Sequence, residues 1–186
     1  YIKNNSGVIA LSGGTYGGGF TLNAGTVIVR GVNAMGTTNT LTLNGGIIAS
    51  NANRDLSGKY PGGITIGGDV QFGDVIGLAS SSANLTFNNN VALGIATRTL
   101  TLGNAGTMTL GGIISSTGGG LTFAATVGGT GKFMLTGANT YTSLTTVNGG
   151  TLQLNRSGGT TIPSANSITV NGGTLQISSN QTLNNL

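Results

Sequence analysis

Asp69 and Asp74 stand five residues apart in Gly67-Gly68-Asp69-Val70-Gln71-Phe72-Gly73-Asp74. Carboxylates spaced among glycines are one way to gather oxygen ligands for calcium, as Gly/Asp-rich β-rolls do. A single pair offers few oxygens, so the competing reading is that both acids cap turns. A second cluster lies in an insertion at 51–63, where Arg54, Asp55 and Lys59 precede Tyr60-Pro61-Gly62-Gly63. Loops on a rigid scaffold carry much of protein recognition, so Arg54, Asp55, Lys59 and Tyr60 are the first choice for a partner contact. The plainer alternative is a solvated loop with a surface ion pair, worth about 0–1 kcal/mol.

Little else in the chain could do chemistry. Its 186 residues hold 7 Lys or Arg and 3 Asp, with no Glu, His, Cys or Trp. Zinc sites of the usual ligands, disulfides, thiol nucleophiles and Ser-His-Asp triads are therefore excluded. Glycosidase chemistry needs two paired carboxylates, and only three acids exist. Polysaccharide-cleaving β-helices need clustered acids and bases, which are missing here. No enzyme activity and no cofactor are expected. The net charge of +4 comes from scattered bases, with no basic run to grip nucleic acid. No apolar stretch nears the ~20 residues of a membrane-spanning helix. The chain starts at Tyr1 rather than Met, as a processed product or excised segment does.

These residues must be positioned by β-structure. A triad of apolar, Thr, apolar recurs, starting at Phe20, Leu41, Ile64, Leu85, Leu100, Leu121, Thr145 and Ile168. The starts are 21, 23, 21, 15, 21, 24 and 23 residues apart. Alternation with period two marks half-buried strands. The 36 glycines speak against long helices, where each costs about 1 kcal/mol. A near-constant period of 21–24 residues with two or three strands per unit fits an all-β, parallel β-helix (β-solenoid) of about eight coils, a single domain spanning 1–186. At a strand spacing of ~4.8 Å, eight coils make a rod roughly 38 Å long. An antiparallel sandwich is the runner-up, since Asn-Gly-Gly can turn a hairpin. The 15-residue step marks either a short coil or a slip of register near Gly94–Arg98.

Two regular sets follow from this reading. Asn23, Asn44, Asn88, Asn148 and Asn171 fall at coil corners, where stacked amides can bond along the axis. Thr21, Thr42, Thr65, Thr86, Thr101, Thr122, Thr146 and Thr169 are expected to face outward as one column. Thr suits any solvated strand position. The sharper alternative is an ice-binding Thr array, although such arrays usually need two parallel columns.

Residues Gly129 to Leu154 carry a more specific text, including Gly131, Leu135, Gly137, Asn139-Thr140-Tyr141, Val147 and Gly150-Thr151-Leu152. This resembles the autotransporter-associated β-strand repeat, also called the passenger-associated transport repeat. The likeness is strong over 84–177 and loose over 1–83. It departs at Ser143-Leu144, where the family usually has Gly-Gly. The resemblance implies a right-handed parallel β-helix exported to a bacterial surface, as stalk or scaffold rather than catalytic apparatus.

The expected function is an extracellular structural rod: a stalk, scaffold or adhesin passenger. Open coil ends add the expectation of head-to-tail self-association, or of continuation into a longer solenoid. The alternative is an adhesin that binds glycans or host matrix through its loops.

Overall fold

In the computed structural model the described residues are 1–14, 17–36, 39–73, 82–126, 130–178 and 180–183. They form only short strands, and every strand pairing is parallel. Parallel neighbours that recur at coil intervals make a β-solenoid of about seven turns. The chain climbs through the walls in one order, the third wall having strands only from Arg54 onward and the first only up to Ser115 among the described residues. The first wall contains Ile2–Lys3, Phe20–Leu22, Leu41–Leu43, Ile64–Ile66, Val91–Ala92 and Ile114–Ser115. The second contains Val8–Leu11, Thr26–Val29, Ile47–Ser50, Val70–Phe72, Arg98–Leu102, Leu121–Ala125, Thr145–Val147 and Ile168–Val170. The third contains Arg54–Asp55, Leu85–Phe87, Thr107–Leu110, Lys132–Leu135, Thr151–Leu154 and Thr174–Ile177.

One coil cannot bury its own apolar face, so the core is made of columns that run through the stack. On the first wall Phe20 pairs with Leu41, Leu41 with Ile64, Ile64 with Val91 and Val91 with Ile114. On the third, Leu85, Met108, Phe133, Leu152 and Leu175 follow one another in register. The second wall supplies Val70, Leu100, Phe123 and Val147. Across the interior the walls meet through aromatic rings. The Phe133 ring lies 5.0 Å from Phe123 and 6.3 Å, edge-on, from Phe72. Such tilted and edge arrangements suit the ring quadrupole.

The 15-residue step is a slip of register and not a short coil. The triads at Phe20, Leu41 and Ile64 lie on the first wall, and the triad at Leu85 on the third. Those at Leu100, Leu121, Thr145 and Ile168 lie on the second. All three walls use the same inward–outward alternation, so the local text is alike on each. The pattern alone does not say which wall it is on.

Among the described residues the core has one charged member. Lys3 pairs with Leu22 and is 5 % exposed. Its ammonium donates to the Asn5 carbonyl, to Asn5 Oδ1 at 2.5 Å and to the Ala24 carbonyl at 3.4 Å. A buried cation is tolerated only when so bonded. Deeper in the stack Tyr141 is fully buried, and its hydroxyl shares a 2.8 Å bond with Thr145 Oγ1. Burial drives the Tyr141 phenol well above its ordinary pKa, with the Thr145 bond opposing, so it stays a neutral hydrogen-bonding group.

Candidate functional surface

The eight outward threonines divide among the three walls. Thr21, Thr42 and Thr65 stack on the first wall and continue as Ala92 and Ser115. Thr86 sits on the third wall between Asp55 and Thr109. On the second wall the column is Thr99, Thr122, Thr146 and Thr169. Thr101 falls beside that column, between Gln71 and Ala124. The expectation of one column is therefore corrected, for the same reason as the register slip. A flat array of two adjacent Thr columns, the feature sought for ice binding, is not formed by these eight residues.

The corner asparagines also divide by wall. Between the first and second walls, Asn44 Nδ2 donates to Asn23 Oδ1 at 2.8 Å, and Asn23 Nδ2 to Asn4 Oδ1 at 2.6 Å. Between the second and third walls, Asn171 Nδ2 donates to Asn148 Oδ1 at 3.0 Å. Asn88 sits at the remaining corner, where its amide packs against Gly111 of the next coil. Glycine has no side chain to continue a ladder, and Gly67 stands in the same relation to Asn44. The ladder amides are exposed, so water competes for each bond. Asn23→Ala, which removes two of them, is expected to lower stability by about 1 kcal/mol in urea unfolding. No change at all would mean that the exposed ladder contributes nothing.

Asp69 has a different partner from a metal. Its Oδ1 accepts the Thr99 backbone N–H of the next coil at 2.7 Å. Asp74 lies outside the described residues, and no cluster of three His, Cys, Asp or Glu occurs among the described ones.

The 51–63 insertion is anchored from below. Leu56 is fully buried and Tyr60 is 2 % exposed, its ring 6.2 Å from that of Phe87. Tyr60 is thus a core residue and not part of a contact surface. Burial raises its phenol pKa well above the ordinary value. Arg54 donates through Nη2 to the Arg30 carbonyl at 2.8 Å and to Asn51 Oδ1 at 3.1 Å. Asp55 accepts from the Ser57 hydroxyl and, at 2.9 Å, from the Ser57 N–H. Those bonds, the hydroxyl first, hold its carboxyl below the usual carboxylate range. Arg54–Asp55 is a strand of the third wall and not loop, so the polar surface left on 51–63 is Asp55, Asn51 and Asn53, with Lys59 half-buried.

A set of residues that the sequence pattern did not single out works at the corners. Asn84 Oδ1 accepts the Thr107 N–H at 2.7 Å, and Asn53 Oδ1 the Asn84 N–H at 2.9 Å. Asn90 serves Ile113, Asn139 serves Ile114 and Gln181 serves Thr161 in the same way. Each side chain catches a backbone donor of a neighbouring coil where strand pairing lapses. An unpaired buried donor costs about 1–3 kcal/mol, a cost the buried Asn139 bond avoids, while the Asn84, Asn53 and Asn90 bonds are exposed. For Asn84 and Asn90 the signal in the sequence is an Asn just before an apolar strand; Asn53, Asn139 and Gln181 carry no such signal.

A family model described as Passenger-associated-transport-repeat matches residues 2–29 and 126–154. The second segment holds Lys132–Leu135, Tyr141, Thr145–Val147 and Thr151–Leu154, the most specific part of the sequence. The first lies in the region where the likeness by eye is loose, and covers the opening coil and the first two strands of the next. No curated protein and no solved structure matches the chain.

Proposed function

We propose, with these two passenger-associated transport repeats as the premise, that the chain is a section of a surface-exposed passenger rod whose work is mechanical. The observation that supports this most is the uninterrupted core. Columns of Phe, Leu, Ile and Val link every coil to the next. Such a stack transmits rigidity along its axis and needs no disulfide or metal. The lateral surface is poor in charged groups and polar, with Thr and Asn in register. A surface of that kind presents little for catalysis and suits extension away from a cell.

End-to-end association is a second reading, favoured by the terminal coils. Val170 and Ile177 hold core-register positions beside Val147 and Leu154, yet are 41 % and 45 % exposed. At the opposite end Tyr1 stacks on Phe20 at 5.2 Å and is 48 % exposed. Further coils would cover these residues, whether from more of the same chain or from a second copy.

Negative-stain microscopy over a concentration series tests both readings. The rod reading expects straight, elongated particles of uniform width. End-to-end association expects their length to grow with concentration. Short discrete particles at every concentration would remove the association reading alone. Round, compact particles would remove the rod.

A further inference from the structure

We propose that Asn84 is an acceptor for N-linked sugar. It opens the sequence Asn84-Leu85-Thr86, which has the Asn-x-Thr pattern of an N-glycosylation acceptor. Asn4, Asn155 and Asn180 open patterns of the same type. Asn155 directs its Nδ2 to Met134 Sδ at 3.8 Å, and Asn4 Oδ1 accepts from the exposed Asn23 side chain, whereas the partner of Asn84 is backbone of the next coil. Asn84 is exposed, and its side-chain oxygen is fixed on the Thr107 N–H at 2.7 Å. Its Nδ2 donates to no group among the described residues. The amide is therefore held by its oxygen while its nitrogen is left to solvent. N-glycosylation keeps the carbonyl oxygen and replaces one N–H, so the modified residue retains its bond to the next coil. Leu85 points into the core at 3 % exposure. Strand alternation then puts Asn84 and Thr86 on the same, outer side of the third wall. A sugar there projects from the side of the rod without touching a core column.

The donor class is a sugar whose anomeric carbon carries a pyrophosphate leaving group. Asn84 Nδ2 attacks that carbon. The C–N bond forms, the C–O bond to pyrophosphate breaks, and the pyrophosphate group leaves with the bonding pair. One amide proton passes to a base of the transferase, and no oxidation or reduction occurs. The donor could be a nucleotide sugar or a lipid-linked oligosaccharide. The two are distinguished by mass, since the first adds a single sugar and the second a chain.

Peptide mapping by mass spectrometry of the full protein isolated from its own cells tests this. The expected result is a hexose-type increment, single or oligomeric, on Asn84, with Asn88 unmodified as an internal control. Thr86→Ala keeps Asn84 and its bond to Thr107 but destroys the pattern, so the increment should vanish completely. Circular dichroism of that variant should match the parent. An unmodified Asn84 peptide in the parent protein overturns the proposal, as does an increment that survives in Thr86→Ala. Neither result bears on the rod reading, which rests on the core columns.

Discussion

Replacing Phe133 by Ala is expected to remove about 3–5 kcal/mol of stability, the range for truncating a buried aromatic. Phe133 is fully buried. It stacks between Met108 below and Leu152 above, and its ring touches Phe123 and Phe72 from another wall. The ring thus joins four coils and two walls, and little around it can collapse into the space. Urea titration reads the effect as a lower midpoint. In a stack held by nearest neighbours, the damage should also split the transition. The coils around Phe133 should lose structure first, with the distal coils following. A loss below about 1 kcal/mol would be incompatible with a packed column at this position.

The second large effect concerns the corners. Gly46 has φ of 79°, and a Cβ there would lie 2.6 Å from the carbonyl oxygen of Gly25 in the coil below. Gly46→Ala therefore combines a left-handed backbone with a collision against backbone of the neighbouring coil. The expected loss is about 2–6 kcal/mol. Gly58 separates the two causes. Its φ is 70°, but a Cβ there meets nothing within 4 Å. Gly58→Ala should cost only the left-handed penalty, about 1–2 kcal/mol. The difference between the two midpoints measures how closely the coils approach. Equal losses would mean that coil spacing at Gly46 is looser than described here.

Much of this was legible in the sequence, because the walls rest on alternation. Phe20-Thr21-Leu22 and Leu41-Thr42-Leu43 state their buried and outward positions in the order of their residue types. The absence of His and Cys already excludes thiol nucleophiles, disulfides and Ser-His-Asp triads. The assignment of triads to walls was not legible. Leu85-Thr86-Phe87 on the third wall and Leu121-Thr122-Phe123 on the second are the same three residue types, and alternation carries no wall label. Tyr60 was misplaced for a related reason. It sits beside Lys59 and Pro61 in a polar loop, and only the stack reveals Phe87 beneath it. Lys3 has the same lesson with the sign reversed, a charged residue at a core register position because three acceptor atoms surround it. Asp69 resembles a metal ligand in sequence and bonds a backbone N–H in space. Side-chain to backbone bonds between coils have no fixed sequence spacing, so no periodic search finds them.

The central claim is that the lateral columns join residues one coil apart within a wall. The chain has no native Cys, so paired cysteines can read this without background. Thr42 and Thr65 are outward neighbours on adjacent strands of the first wall. Thr65 and Thr86 are separated by a similar length of chain but lie on different walls. Adjacent strands lie ~4.8 Å apart, within the span a disulfide bridges. Mild oxidation should therefore cross-link T42C/T65C in the folded protein and leave T65C/T86C as free thiols. Cross-linking of T65C/T86C with none in T42C/T65C would contradict the three-wall solenoid and restore a single column.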